Sequence, residues 1–384
     1  MKFGRNWGRL GMKSDFITKP LSQLASIQTG PFGSQLHKKD YVKHGTPIVT
    51  VEHLGQKCFT EQNLPCVSNE DKMRLNKYIL RKGDIVFSRV GAVDRCSFVC
   101  KKYDGWMFSG RCLRVRPSSE IEPEYLYYFF NLAATKQFIR GIATGATMPS
   151  INTKFMGEVP ITYPNINIQR KIVAVLNLLD DKIQINTEIN KNLQAQAQAI
   201  YTKKFITDAD SSWPEGKLSD LIEVCYGKDH KKLNDGDIPV YGSGGIMRHA
   251  DQSLYDQESV LVPRKGTLNN VMYVNEPFWS VDTTFFTKMK RPNVAKFVFH
   301  FLKGKDLASM NAGSAVPSMT TKILDAIPLQ IPDNQTLSNF EAQVSPYYEA
   351  MAFNNTESEN LAALRDALLP KLMSGEIDVS AINL

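Results

Sequence analysis

The residues of this chain whose types and spacing could do chemistry are basic side chains in turn-like segments. In the first part of the chain they are Lys38 and Lys39, Arg89 and Arg95, Lys101 and Lys102, and Arg111. In the second they are Lys228, His230, Lys231 and Lys232, Arg248, and Arg264 with Lys265. Lys154 and Lys322 close two similar boxes, GATMPSINTK from Gly145 and GSAVPSMTTK from Gly313. Cationic groups on loops suit phosphate contact, and arginine also reads a guanine edge through two parallel hydrogen bonds. Any one of these residues is most simply a solvated charge. As a set in duplicated loops they point to nucleic acid.

Catalytic constellations are missing from the sequence. There is no G-x-x-x-x-G-K-[ST] for a nucleotide, no dinucleotide fingerprint, no H-E-x-x-H, no nucleophile elbow and no deaminase-like Cys/His signature. The Pro-Pro-aromatic tetrapeptide with which amine methyltransferases hold a base is absent too. The glycine cluster Tyr241-Gly-Ser-Gly-Gly-Ile lacks the Lys-Ser/Thr of a phosphate loop and reads as a turn between short strands. Glu215-Gly-Lys217 is nuclease-like, but a nuclease needs a second carboxylate on an adjacent strand to hold its metal. His37, His44 and His53 lie in a loop-rich stretch and read as surface or DNA-contacting residues. The spacing of Cys58, Cys66, Cys96, Cys100 and Cys112 contains no second close pair and does not suit zinc. The expectation is a binding protein with no catalytic or metal-ligating residue of its own.

The chain has 384 residues, room for two or three domains, with the 42% hydrophobic and 22% charged content of an ordinary globular protein. No run of 18 apolar residues could span a bilayer. The basic N-terminus lacks the apolar core of a signal peptide, so a cytoplasmic, reduced protein is expected. Met12 is a possible alternative start. The net charge of +7 divides unevenly: +11 over residues 1–165, +1 over 166–213, +1 over 214–332 and −6 over 333–384. A basic first domain again suits a polyanion.

The strongest feature is an internal repeat at an offset of 168. Gly145/Gly313, Pro149/Pro317, Ser150/Ser318, Thr153/Thr321 and Lys154/Lys322 correspond, and the register persists through Pro160/Pro328, Pro164/Pro332, Asn186/Asn354, Leu193/Leu361 and Lys203/Lys371. Upstream, with gaps, LSQLASI from Leu21 matches LSDLIEV from Leu218, and FSRVGAV matches VPRKGTL. Each half opens with short apolar runs broken by turn residues (PIVTV, DIVFSRV and RCLRV; SVLVP, NVMYV and TTFFTKM), which predict short strands. Brief helices are expected at PEYLYYFFNLAATKQFI and VAKFVFHFL.

Each half closes with a heptad seam. In the first copy it is Ile172, Leu176, Leu179, Ile183, Asn186, Asn190, Leu193, Ala197 and Ile200; in the second, Phe340, Val344, Tyr347, Met351, Asn354, Ser358, Leu361, Arg365 and Leu368. The asparagines put a polar layer mid-seam, which is either a solvated stretch or a device that fixes register. Pro346 should kink the second helix near its start, and Gly375 should end it. The pattern predicts an α+β chain: an extension (1–15), a first domain (16–165), a central long helix and linker (166–213), a second domain (214–332), and a C-terminal long helix and tail (333–384). Two such helices would pair most simply as an antiparallel coiled coil.

In its LS-x-L opening, R-x-G strand end, G-x-x-x-P-S-[I/M]-x-x-K box and long helix, repeated in that order over roughly 16–373, the chain resembles the specificity subunits of type I restriction-modification systems. The alternating NLQAQAQAIY run resembles a short repeat that some members carry in this helix. The resemblance implies two target-recognition domains that clasp the halves of a split double-stranded DNA sequence, with antiparallel helices setting the gap. It implies methyltransferase subunits, two per chain, docked on the helical region, and a restriction and translocase subunit. S-adenosylmethionine and ATP would then belong to those partners, leaving this chain without a cofactor. The near-neutral second domain departs from a uniformly basic reader. A stand-alone bipartite DNA-binding regulator and a divergent metal-dependent enzyme built on Glu215 stay open on the residues alone.

Overall fold

A computed structural model describes residues 16–31, 35–145, 147–310 and 318–382. The N-terminal extension with Met12, the Lys38 side chain, and Gly313 and Pro317 of the second box lie outside the described residues. Two compact units result. One joins the chain up to Gln184 to the part from Glu357 onward; the other is Ile185–Thr356.

In the first unit the apolar runs form β1 (Ile17–Pro20), β2 (Ala25–Thr29), β3 (Thr46–Val49), β4 (Cys66–Val67), β5 (Ile85–Ser88), β6 (Cys96–Phe98), β7 (Met107–Phe108), β8 (Cys112–Pro117) and β9 (Pro160–Tyr163). They make a four-stranded antiparallel sheet in the order β2-β8-β5-β6, a three-stranded sheet β4-β3-β7 with β3 parallel to β7, and the pair β1-β9. Short helices intervene: α1 (Leu21–Leu24), α2 (Asn69–Arg74), α3 (Pro123–Asn131), α4 (Ala133–Ile142) and α5 (Thr153–Gly157). Pro123 opens α3, a position where its missing N–H costs nothing. All six side chains from Tyr125 to Phe130 are buried, so α3 forms the centre of the core over the four-stranded sheet.

The second unit repeats this plan. Its strands are β10 (Glu215–Lys217), β11 (Ile222–Tyr226), β12 (Ile238–Gly242), β13 (Gly245–Ala250), β14 (Ser259–Pro263), β15 (Met272–Val274), β16 (Trp279–Ser280), β17 (Thr284–Met289) and β18 (Pro328–Gln330). The sheets run β11-β17-β14-β15, β13-β12-β16 and β10-β18, with β12 and β16 the parallel pair. The glycine cluster is the β12–β13 hairpin turn, with a register shift at Val240/Tyr241 and Gly245 at φ +122°. Here α7 (Ala295–Lys303) replaces α3 and α8 (Thr321–Asp325) replaces α5.

The long helices are α6 (Ile166–Thr202), which ends in a π-turn over Lys203–Thr207, and α9 (Asn334–Ser374). The latter runs through Pro346 without interruption, so the proline removes one hydrogen bond but does not break the element. It stops before Gly375, whose φ of +75° is cheap only for glycine. In the first unit Asp180 meets Arg365 at 2.7 Å and Lys182 meets Glu357 at 3.1 Å. In the second, the Asn186 amide donates to the Asn354 carbonyl at 3.4 Å and the Asn190 amide to the Met351 carbonyl at 3.3 Å. Within each unit the helix ends are therefore antiparallel. Ile172, Leu176, Asn186, Ala197, Phe340 and Val344 are buried, and Leu179, Ile183, Asn190, Leu193, Ile200, Tyr347, Met351, Asn354, Ser358, Leu361, Arg365 and Leu368 are half-buried. The polar layer is bonded across the seam: the Asn354 amide donates to the Asn190 side-chain oxygen at 2.8 Å.

Each domain packs onto helix ends through a polar contact of its own. Tyr128 on α3 donates to Asp180 at 2.5 Å and to Asn177 at 2.8 Å, and Lys57 also reaches Asn177 at 2.6 Å. In the second unit His300 on α7 bonds Gln198 at 2.7 Å through Nδ1 and Tyr348 at 2.9 Å through Nε2. Lys296, almost fully buried, pairs with Glu341 and with Glu258 at 3.0 Å.

Two outcomes test this packing. Leu176→Asp puts a charge into the first core and should destabilise that unit by several kcal/mol, roughly the upper tail of single substitutions. Leu178→Asp, at a position 72% exposed and off the seam, should change stability by no more than ~0.5 kcal/mol. Equal melting losses for the two variants would contradict the seam. Burial holds the His300 imidazole down at about 4, from an ordinary 6.5. Its contribution is complete above about pH 6.5, where neither state is protonated, and is lost as pH falls towards 4, by roughly 3 kcal/mol in all. Thermal melting of His300→Gln against wild type should show this pH slope disappear; an unchanged slope would contradict the assignment.

Candidate functional site

Strand polarity brings several of the basic loops to one end of each four-stranded sheet. In the first unit β2 and β5 end there and β8 begins there, because Thr29 pairs with Leu113 and Ser88 with Cys112. The segment after β5, Arg89-Val90-Gly91, is held by main-chain bonds. Arg89 N–H donates to the Arg111 carbonyl at 2.8 Å, Ile151 N–H to the Arg89 carbonyl at 3.0 Å, and Gly91 N–H to the Pro149 carbonyl at 2.8 Å. The guanidinium of Arg89 donates to the Gly110 carbonyl at 3.2 Å. Gly30 sits so close that a Cβ there would lie 2.1 Å from the Ser109 carbonyl oxygen. Arg89, Arg111 and the box that leads to Lys154 are thus gathered, with Arg111 and Lys154 exposed. Arg95 joins them at the far end of the same loop, exposed and leaning on Gly55, its carbonyl accepting from Ser88 N–H.

The second unit builds the same cluster from different residues. Arg264 N–H donates to the Thr283 carbonyl at 2.8 Å, Met319 N–H donates to the Arg264 carbonyl at 2.8 Å, and Lys265 bridges Ser318. The Arg264 guanidinium donates to the Asp282 carbonyl at 3.3 Å and lies 5.4 Å from the centre of the Tyr226 ring. Lys228 N–H donates to Ser280 at 2.8 Å, and a Cβ on the preceding Gly227 would meet the Val281 carbonyl oxygen at 2.1 Å. Asn270 ties the Ser243 carbonyl of the glycine hairpin to the same place at 2.9 Å. Lys228 and Lys265 are exposed and Arg264 half-exposed; Lys322 is exposed on α8, which Thr320 caps.

Other basic residues lie elsewhere or are engaged. Lys101 and Lys102 follow β6, at the opposite end of the first sheet, and Lys102 is paired with Glu61 at 2.5 Å. Lys39 is exposed on the 3-10 turn Lys38–Asp40. Arg248 turns back to the carbonyls of Leu233 and Asn234, at 2.9 and 3.0 Å, and so braces the loop that exposes Lys231 and Lys232; His230 is half-buried in it. His53 is not a surface group: it is buried and completes a capping box with Thr50. Arg114 and Arg116 are structural. Arg114 is buried on the carbonyls of Lys77 and Ile79, and Arg116 pairs with Asp84 at 2.7 Å. The stack of Arg264 on Tyr226 escaped sequence reasoning, although an aromatic beside a turn glycine is a usable signal.

Burial pushes the thiols of Cys96 and Cys112 up to about 12, which leaves them inert at neutral pH. Among the described residues no group of three or more His, Cys, Asp or Glu side chains could hold a metal ion. No helix among them is long and apolar enough to cross a membrane.

Comparison with known proteins bears on the same loops and helices. A family model described as "Type I restriction modification DNA specificity domain" matches residues 13–195 and again 210–357. The type I restriction enzyme MjaIX specificity subunit of Methanocaldococcus jannaschii is 24% identical over 309 residues, which cover 69% of this chain and 72% of that protein. The HindI specificity subunit of Haemophilus influenzae is 21% identical over 411 aligned positions, covering 78% and 88%. The crystal structure of a type I restriction-modification S subunit from M. genitalium shares the fold, with a TM-score of 0.56, 17% identity, and coverage of 97% of this chain and 98% of that one.

The twin close approaches of Gly30 and Gly227 yield a further expected outcome. Gly227→Ala must push the β11 end away from Val281, and should destabilise the second unit by ~1–3 kcal/mol, as overpacking does. Denaturant melting of the variant checks this; an unchanged midpoint would contradict the close approach.

Proposed function

Because this chain belongs to the type I restriction-modification DNA specificity family, we propose that it is the non-catalytic subunit that recognises a bipartite double-stranded DNA sequence and directs its partner enzymes there. The observation that carries this reading is the duplicated cluster: one set of main-chain bonds, built twice, presents Arg89, Arg111 and Lys154 in one unit and Lys228, Arg264, Lys265 and Lys322 in the other. A repeated scaffold with altered exposed side chains suits two readers of unlike half-sites. The family match disfavours a stand-alone regulator.

The partners are methyltransferase subunits and a restriction and translocase subunit, with S-adenosylmethionine and ATP held by them. Two methyltransferase subunits per chain fit the helix surface. Ile185 and Phe353 stand at equivalent repeat positions, 168 apart, and both are exposed, at 50% and 68%. An exposed apolar side chain at the same repeat position on each helix suits two copies of one partner.

Exchanging residues 16–165 for the corresponding domain of a relative tests the two-reader arrangement. Methylation mapped by the reconstituted complex on a random duplex pool should show one half of the recognised sequence changed and the other kept. If both halves change together, the two-reader reading is wrong.

A further inference from the structure

The two clusters can be superimposed bond by bond. Arg89 and Arg264 each donate a main-chain N–H to the carbonyl of the residue immediately before a core strand, Arg111 before Cys112 and Thr283 before Thr284. Each accepts one residue beyond the box serine, from Ile151 or Met319. Each is followed by a residue bridged to that serine, Val90 to Ser150 and Lys265 to Ser318, and then by a glycine, at φ +76° and +82°. Each guanidinium donates to the carbonyl two residues before that strand, Gly110 at 3.2 Å and Asp282 at 3.3 Å. The surrounding sequence has diverged: Val90 corresponds to Lys265, Gly110 to Asp282, and Arg111 to Thr283.

A residue that keeps both its type and its placement in two readers of unlike half-sites cannot be what distinguishes those half-sites. It must serve what the half-sites share. In duplex DNA that is the sugar-phosphate backbone, since base edges differ from one sequence to the next. Chemistry agrees. For Arg264 the Asp282 carbonyl takes one of the five N–H donors of the guanidinium, which lies over the Tyr226 ring at 5.4 Å from its centre. Among the described residues no carboxylate lies within ion-pair distance of Arg264. Conversely, Arg111 is exposed beside the common arginine, with threonine at its equivalent, and these two types read different base edges: arginine the guanine acceptors, threonine the thymine methyl.

We propose that Arg89 and Arg264 are matched clamps on the DNA phosphates of the two half-sites, and that the neighbouring position, Arg111 in one unit and Thr283 in the other, is a specificity determinant. This rests on the DNA-recognition reading. The experiment uses the full-length chain and two duplexes, one carrying the target first selected from a random duplex pool and one unrelated, across a salt series. Arg89→Ala and Arg264→Ala should weaken binding to both duplexes by a similar factor. Each should lower the slope of log affinity against log salt by about one, with the preferred sequence unchanged. Arg89→Lys and Arg264→Lys, which keep the charge, should retain most of the affinity. Arg111→Thr should shift preference at one base pair of the first half-site by about tenfold or more.

The proposal falls if either alanine variant relaxes preference at one base pair while its affinity for the unrelated duplex holds. It also falls if affinity loss merely tracks a lowered melting temperature and returns on cooling, which would make the arginine a loop brace. An Arg111→Thr chain with the original preference overturns the second half. A wild-type chain that selects no sequence from the pool overturns DNA recognition itself, and is seen before any variant is made.

Discussion

Strands of two to six residues cannot enclose a core by themselves, and in this protein the missing wall comes from the long helices. In the second unit Ala197, Tyr201 and Phe205 from α6 join Phe340 and Val344 from α9 in one cluster with Phe297, Val298 and Phe301 of α7. In the first, Ile172, Val173 and Leu176 from α6 and Leu369, Leu372 and Met373 from α9 close over Tyr125, Phe129 and Phe130. Each buried side chain of this size is worth ~1.5–3 kcal/mol against exposure. A reader is therefore not a complete body tethered to a helix. It is finished by two helix ends, one from each copy of the repeat, and the geometry of the loops that carry Arg89 and Arg264 rests on that shared core.

The same arrangement explains why polar groups are tolerated in the helix seam. The Asn186 amide donates across the pair to the Asn354 carbonyl and the Asn354 amide to the Asn190 side-chain oxygen, and a shifted register would break both bonds, in part at a buried group. A seam asparagine of this kind gives up stability for a single pairing. Its place fits the task, because Asn186 meets its own repeat counterpart, which in an antiparallel pair happens only at the middle of the seam.

Much of this was legible because periodicity survives divergence. The offset of 168, the heptad positions and the short apolar runs depend on residue class alone, so the paired helices and the doubled sheets could be read. What could not be read depended on partners distant in sequence. Arg248 and Lys102 have the composition of exposed loop cations, yet one braces the Leu233 and Asn234 carbonyls and the other pairs with Glu61. His53 sits among polar residues but turns inward to cap a helical turn. Pro346 carries the local signal of a kink, and the helix continues because neighbouring side chains such as Val344 are already committed to the core. The gathering of Arg89 with Arg111 was hidden for a related reason, since it follows from which strands are adjacent in the sheet.

Lys296 has a consequence for how the chain sorts its own parts. Its buried ammonium is matched by Glu341 on α9, and 168 residues earlier the equivalent place on α6 holds Val173. Tyr128 likewise finds Asp180, whose counterpart is Tyr348, the partner of His300. If the second reader settled on the helix end that belongs to the first, Lys296 would keep Glu258 but meet a hydrocarbon in place of its second carboxylate, Glu341. Two modules of one topology are thus told apart by unlike charges where each meets its own helix ends.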